Sequence, residues 1–355
     1  MSDFLDHPTS VRQGEELDVA KIDPYLREHF PNEAGPLEVR QYPSGHSNLT
    51  YSLQLGAREL VLRRPPFGSK VKSAHDMSRE FRVLSKLHAV YRPAPEVILY
   101  CGDETVLGAP FYLMQPIHGI ILRQQLPPDL EFTAETARRL SESIIENLIR
   151  LHRVDYADAG LSDLGKPEGY LERQVRGWTD RYFAAKTHDY PEAQKIAAWM
   201  QEHMPVTTST SLIHNDYKYD NLILDSQDVT KIVGLLDWEM CTIGDPLTDL
   251  GTALAYWVDA ADSEEMQLLR WGPTTQPGSF TRTEIVQYYA RQTGSDTSQI
   301  AFYLTFARFK LAVIVQQIYC RYHQGLTTDK RFAAMPEKVQ LLLRGSWDCA
   351  QTQHI

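Results

Sequence analysis

His214-Asn-Asp-Tyr-Lys-Tyr-Asp-Asn221 has the form H-x-D-x-x-x-x-N and runs directly into the apolar stretch Leu222-Ile-Leu224. A polar Ser226-Gln-Asp228 turn follows. A second apolar run, Lys231-Ile-Val-Gly-Leu-Leu236, then ends at Asp237-Trp238-Glu239. Two short apolar runs about a polar turn predict an antiparallel hairpin. Such a hairpin brings the start of its first strand beside the end of its second, so Asn221 and Asp237 are expected side by side. Asp216 is expected at the end of the loop leading in. An amide oxygen and a carboxylate converging on one point make a hard, oxygen-only site. It suits Mg²⁺ that keeps water and phosphate oxygens as its other ligands. Asp216 is left to accept a proton from a hydroxyl, and phosphoryl transfer requires that division of labour.

Upstream of this stretch the chain changes texture once. Leu37 to Tyr42, Leu49 to Leu55 and Leu60 to Arg63 are short apolar or alternating runs separated by turn residues. A helical pattern from about His75 to His88 follows, with Phe81, Leu84 and Leu87 at helical spacing. Val97 to Tyr100 and Phe111 to Gln115 read as two more strands. After Gly119 the pattern is helical: Thr133 is placed to cap a long amphipathic helix. Tyr170 to Phe183, Ala193 to Met204, Thr283 to Gln292 and Phe302 to His323 are helical in spacing, and the hairpin is the one interruption expected among them. The expected fold is α+β and two-lobed. A helical extension occupies 1–35, a small antiparallel β-rich lobe 36–116 and a larger, mainly helical lobe 117–355.

Composition narrows the function classes. The 355 residues carry 36 Lys and Arg against 46 Asp and Glu, a net charge of −10. That balance argues against a general nucleic-acid binder. Apolar runs such as Leu311 to Val315 fall far short of the roughly 18 residues needed to span a bilayer. The opening Met-Ser-Asp-Phe-Leu-Asp places acids where a signal peptide has basic residues. The four cysteines form no C-x-x-C pair, as expected of free thiols in a reducing compartment. The expected location is cytoplasmic, with no membrane and no nucleic-acid partner.

The H-x-D-x-x-x-x-N run, with a hairpin ending in Asp, resembles the catalytic core of the protein-kinase-like fold. Asp237-Trp-Glu-Met-Cys-Thr-Ile-Gly-Asp-Pro-Leu-Thr-Asp-Leu250 resembles the aminoglycoside phosphotransferase family rather than protein kinases, because Glu239 stands where protein kinases have a Gly. The runs Val61-Leu-Arg-Arg-Pro-Pro-Phe-Gly68 and Ala74-His-Asp-Met-Ser-Arg-Glu-Phe-Arg82 look most like the branch joined to acyl-CoA dehydrogenases. The resemblance covers about Leu37 to Leu254.

The resemblance implies a set of roles. Asp216 is the catalytic acceptor of the hydroxyl proton, and Asn221 and Asp237 hold Mg²⁺. Lys218 matches a position where many Ser/Thr kinases place a lysine on the transferred phosphate; a solvated lysine is the other reading. His214 reads as a structural brace, and Asp245 as an N-cap or loop brace. Ser44 to Thr50 falls where this fold covers the nucleotide phosphates. With one Gly only, it leans on Ser47, Asn48 and Thr50 as donors. The phosphate-gripping lysine aligns with Arg63, which keeps the charge and adds a bidentate fork, and Glu80 is its expected ion-pair partner. Met114 would cover the purine, with the Gln115 carbonyl and the Ile117 amide at its edge; Pro116 lacks an N–H. The implied substrates are ATP (or GTP) and a small-molecule hydroxyl. That hydroxyl belongs to a metabolic compound such as a hydroxyacyl-CoA or an amino alcohol, or to an aminoglycoside-type antibiotic. A catalytically silent nucleotide-binding module is the reading from another class. Arg63 keeps it open, while Asp216, Asn221 and Asp237 together argue against it.

Overall fold

The computed structural model describes residues 7–43, 48–67, 76–127, 129–327 and 329–355. In chain order, α1 (Val19–His29), β1 (Leu37–Gln41), β2 (Leu49–Leu55), β3 (Arg58–Arg64), α2 (Met77–Leu87), β4 (Val97–Cys101), α3 (Glu104–Leu107) and β5 (Phe111–Met114) come first. Next are α4 (Ala134–His152), α5 (Tyr170–Ala185), α6 (Pro191–Glu202), β6 (Ser211–Ile213), β7 (Leu222–Leu224), β8 (Ile232–Leu235) and β9 (Thr242–Gly244). Helices α7 (Pro246–Tyr256), α8 (Glu264–Gln267), α9 (Arg282–Thr293), α10 (Ile300–His323) and α11 (Met335–Thr352) follow. The fold is α+β, and the chain divides into two units, 1–121 with 221–240, and 122–220 with 241–355.

In the first unit, β1 to β5 form an antiparallel sheet in the order β1-β2-β3-β5-β4. Side chains alternate between faces along a strand, and directly paired residues share a face. The register pairs Thr50 with Arg63 and Arg63 with Tyr112, while Val61 pairs with Met114. One face therefore carries Thr50, Arg63, Tyr112 and Met114. The other carries Tyr51, Leu53, Leu60, Leu62 and Leu113, which form an apolar core with Ile22 and Leu26 of α1. Helix α2 starts where Asp76 accepts the Arg79 amide, a good N-cap. Its buried stripe is Met77, Glu80, Val83, Leu84 and Leu87, so the helical period itself carries the Glu80 carboxylate inward.

The hairpin β7–β8 forms as expected, with Leu222 opposite Leu235. The sequence reading set it in the middle of the helical lobe, yet its packing is with the first unit. Ile120 and Leu224 exchange backbone hydrogen bonds of 2.8 Å each, and the Leu235 amide donates to Pro93 O at 2.7 Å. Trp238, fully buried, donates its indole N–H to Leu235 O and packs edge-to-face with Tyr91.

The second unit is helical around α10, whose first half is buried on every side, the charged Arg308 and Lys310 included. Helix α7 is buried along almost its whole length and packs on α10. Gly251 permits the close approach: a Cβ there would lie 2.7 Å from the carbonyl oxygen of Tyr303. The unit also holds a second strand pair, β6 with β9, so the hairpin is not the one interruption among the helices. These strands are three residues each and too short for alternation to reveal. No helix among the described residues is long and apolar enough to cross a membrane.

Candidate functional site

The site residues of the first unit gather at the Arg63 end of the sheet face and at the mouth of the hairpin. Arg63 donates from Nε to Glu80 at 3.2 Å and from Nη2 to Asp237 Oδ1. Glu239 lies 3.9 Å from the same Nη2 and accepts the Asn48 side-chain amide at 2.8 Å. Arg79 ties the Glu239 carbonyl to α2 at 3.2 Å. Arg63 is 12 % exposed and Glu80 2 %. Burial opposes the charge on Arg63, but Glu80, Asp237 and Glu239 hold its pKa well above the ordinary value. Burial pushes Glu80 up, against the pull of Arg63 and of a hydrogen bond from Tyr112.

Asn221 closes a 3₁₀ turn before β7 and is buried, and its carbonyl accepts the Leu236 amide at 2.8 Å. That bond sets Asn221 next to Leu236, one residue from Asp237. Asp237 has a φ of 69°, a left-handed conformation uncommon outside glycine. Thr50 sits in β2 opposite Arg63. Met114 is buried at the end of β5, and the Gln115 amide donates to Glu96 O at 2.8 Å. The Ile117 side chain lies over Gly234 of β8, 3.1 Å from where a Cβ would stand. Ser47 lies outside the described residues.

In the second unit, Asp216 has both carboxylate oxygens engaged. Tyr256 OH donates to Oδ1 at 2.7 Å, and Lys218 Nζ donates to Oδ2 at 2.6 Å. The Lys218 ammonium also stands 5.0 Å from the Tyr256 ring centre and 6.0 Å from that of Trp271, within cation–π range. A cleft beside them is walled by Ile144, Tyr217, Tyr256, Trp257 and Trp271.

The loop that carries Asp216 is held from behind. Asp249 of α7 accepts the amides of His214 and Asn215 at 2.7 Å each, and His152 reaches its Oδ2 at 3.2 Å. Burial pushes Asp249 up, but the His152 hydrogen bond and the charges of His152 and His214 bring it below the usual carboxylate range. Asn215 has a φ of 66°. Tyr170 OH donates to its side chain at 3.2 Å, and Lys310 Nζ donates to its carbonyl at 2.8 Å. His214 is fully buried, with Nδ1 accepting the Asp216 amide at 3.3 Å. Asp245 caps α7 through Leu247 N and accepts the hydroxyls of Thr207 and Tyr303. Tyr256, Asp249, Lys310 and Glu239 were not among the predicted site residues. Each lies outside the H-x-D-x-x-x-x-N run; Glu239 and Asp249 fall in the Asp237–Leu250 run, where no role was assigned to them, and Tyr256 and Lys310 are brought there by the fold alone.

Residues 38–281, more than half of the chain, match the model of the phosphotransferase enzyme family, APH. The chain belongs to that family. Among curated proteins it is 34% identical over 327 residues to acyl-CoA dehydrogenase family member 11 of Gallus gallus, across 89% of this chain and 41% of that one. It is 33% identical over 321 residues to acyl-CoA dehydrogenase family member 10 of Mus musculus, across 90% of this chain and 30% of that one. The chain thus spans less than half the length of these relatives. A solved candidate aminoglycoside phosphotransferase from Ralstonia eutropha superposes with a TM-score of 0.78 at 27% identity, covering 95% of this chain and 99% of that one. The fold is kinase-like.

Proposed function

We propose that the protein transfers the γ-phosphoryl group of ATP (or GTP) to a hydroxyl of a small metabolic molecule. The observation that carries this reading is the Asp216 carboxylate, held at both oxygens beside a cleft, on a loop braced by Asp249. Asp216 takes the hydroxyl proton, and Lys218 exchanges that carboxylate for the phosphoryl oxygens. Arg63, steered by Glu80, holds the nucleotide phosphates with help from Asn48, Ser47 and Thr50. The base lies against Met114, with the Gln115 carbonyl and the Ile117 amide at its edge. Asn221 and Asp237 fit Mg²⁺: one amide and one carboxylate, oxygen donors only, at the hairpin mouth. When bound, that ion supplies charge neutralisation for the phosphates. The residues contribute position and electrostatics, and no covalent intermediate is needed.

For the acceptor, the aromatic wall of the cleft supports a molecule with an apolar body. Lys218 already sets a cation against Tyr256 and Trp271, which disfavours a polycationic aminoglycoside or an amino alcohol. Of the acceptors considered, a hydroxyacyl-CoA is the one that carries an apolar body, in its acyl chain. The reading is tested by a phosphate-transfer screen with Mg²⁺-ATP and Mg²⁺-GTP over hydroxyacyl-CoAs, amino alcohols and aminoglycosides, run with wild type and Asp216→Asn. Transfer to a hydroxyacyl-CoA by wild type, lost in the variant, is expected. Nucleotide binding without transfer to any member of the panel would favour the silent module.

A further inference from the structure

Lys310 is an ionisable side chain in the buried half of α10, 4 % exposed, and the roles proposed above do not use it. Its ammonium donates to the Asn215 carbonyl at 2.8 Å and faces the Trp178 ring at 5.6 Å. That carbonyl belongs to the peptide unit that continues into the Asp216 amide. Asn215 holds a left-handed conformation that costs a non-glycine residue on the order of 1 kcal/mol or more and persists only when its surroundings impose it. Asp249 grips the amides on one side of this residue, and Lys310 is the charged donor to its carbonyl. A neutral donor could satisfy the carbonyl, so an ammonium buried for that purpose has a further use.

We propose that Lys310 is a positioning residue: its charged hydrogen bond to Asn215 O fixes the peptide that aims Asp216 and makes that aim depend on pH. The consequence for turnover rests on the reading of Asp216 as proton acceptor; the hold on the loop does not.

The charges around Lys310 come from three elements besides its own. Asp216 and Lys218 face it from the loop, Asp249 from α7 and Arg181 from α5. His152 and His214 stand against Asp249. Burial lowers the Lys310 pKa to about 8, with Lys218 and Arg181 adding to the fall and the two aspartates opposing it. Loss of the proton removes the charge, though the amine keeps hydrogens to donate. The grip on Asn215 therefore weakens as pH rises through about 8.

Hydrogen–deuterium exchange over residues 211–220 tests this directly in wild type, Lys310→Met and Lys310→Arg. At about pH 7, Lys310→Met is expected to exchange the 214–217 amides at least about tenfold faster than wild type, while α10 keeps its protection. Between about pH 7 and about pH 9, wild type loses protection after division by the intrinsic exchange rate, whereas Lys310→Arg does not, because its guanidinium stays charged. Hydrolysis of Mg²⁺-ATP, with water as acceptor, falls at least about tenfold in Lys310→Met at unchanged nucleotide Kd. Wild-type protection in Lys310→Met would overturn the proposal, and so would a loosened loop with undiminished hydrolysis. Should Lys310→Met fail to fold, the pH profile of Lys310→Arg decides: a loss parallel to wild type overturns it. Failure of the proton-acceptor reading shows separately, as Asp216→Asn keeping wild-type hydrolysis.

Discussion

Asp216→Asn keeps the size of the side chain and one oxygen acceptor, but it replaces the other with an amide NH₂ and cannot take up a proton from the acceptor hydroxyl. Positioned proton acceptance contributes roughly 10²–10⁴-fold, so kcat is expected to fall by that order while nucleotide Kd and the thermal midpoint stay near wild type. Calorimetric titration and turnover on one preparation check this; a fall in activity that merely tracks unfolded protein would instead mark Asp216 as structural. Tyr256→Phe removes the donor to Asp216 Oδ1. Hydrogen bonds to charged groups contribute about 1.5–3 kcal/mol, so steady-state kinetics should show kcat down by about tenfold or more with little change in nucleotide KM. Arg63 differs in kind, because its partner is buried. Arg63→Ala strands the Glu80 carboxylate, and breaking one side of a buried pair costs about 3–5 kcal/mol. Adding Glu80→Gln should return much of the lost stability in urea melts without restoring nucleotide KM, whereas Arg63→Lys should preserve part of both. The motif points to Asp216 by its local spacing, and the family resemblance points to Arg63 and Glu80. Asp249 lies within the Asp237–Leu250 run but nothing in it assigns a role, while Tyr256 and Lys310 are brought to the loop by helix positions outside any motif.

Helices α7 and α10 act on the loop as a pair, since one carries Asp249 and the other Lys310. Their spacing depends on Gly251. In an exposed helix Gly→Ala stabilises by up to about 1 kcal/mol, but here the new methyl would meet the carbonyl oxygen, carbonyl carbon and Cβ of Tyr303 at 2.7–2.8 Å. Overpacking of that kind costs about 1–3 kcal/mol, so Gly251→Ala should lower stability despite the better propensity. Denaturation midpoints, with exchange over 211–220 as a second readout, check the sign. The elements that could be read from sequence are those long enough to show a period. Tyr170–Ala185 is such a helix, and the five-residue strand Leu37–Gln41 alternates; Ile300–His323 is legible from its long apolar run instead. The pair Ser211–Ile213 and Thr242–Gly244 could not be read, because three residues complete no pattern and the partners lie far apart in sequence.

For the whole molecule, Lys310 gives a linkage of definite sign. Its pKa is about 8 in the folded protein against an ordinary 10.5, so between those values the unfolded chain holds more of the proton. Stability from this group therefore rises with pH across that window, and the cost of burying the charge is fully present below it. The thermal midpoint of wild type minus that of Lys310→Met should climb between about pH 8 and about pH 10. Scanning calorimetry checks it, because groups common to both proteins cancel in the difference. The loop loosens over a range that overlaps the one in which this group's own contribution to stability rises, so its effects on activity and on stability should part company in alkali.

The return of 221–240 to the first unit bears on how members of this family could be recombined. A chimera spliced once, between residues 121 and 122, would inherit Arg63 and Glu80 from one parent and Asp237 and Glu239 from the other. The ion-pair network would then join halves that had never been selected together. Splices at 121/122, 220/221 and 240/241 follow the boundaries of the two units. They pass that network on whole from one parent and transmit Asp216, Tyr256, Asp249 and Lys310 together from the other, so that the braced loop is exchanged as a single heritable block.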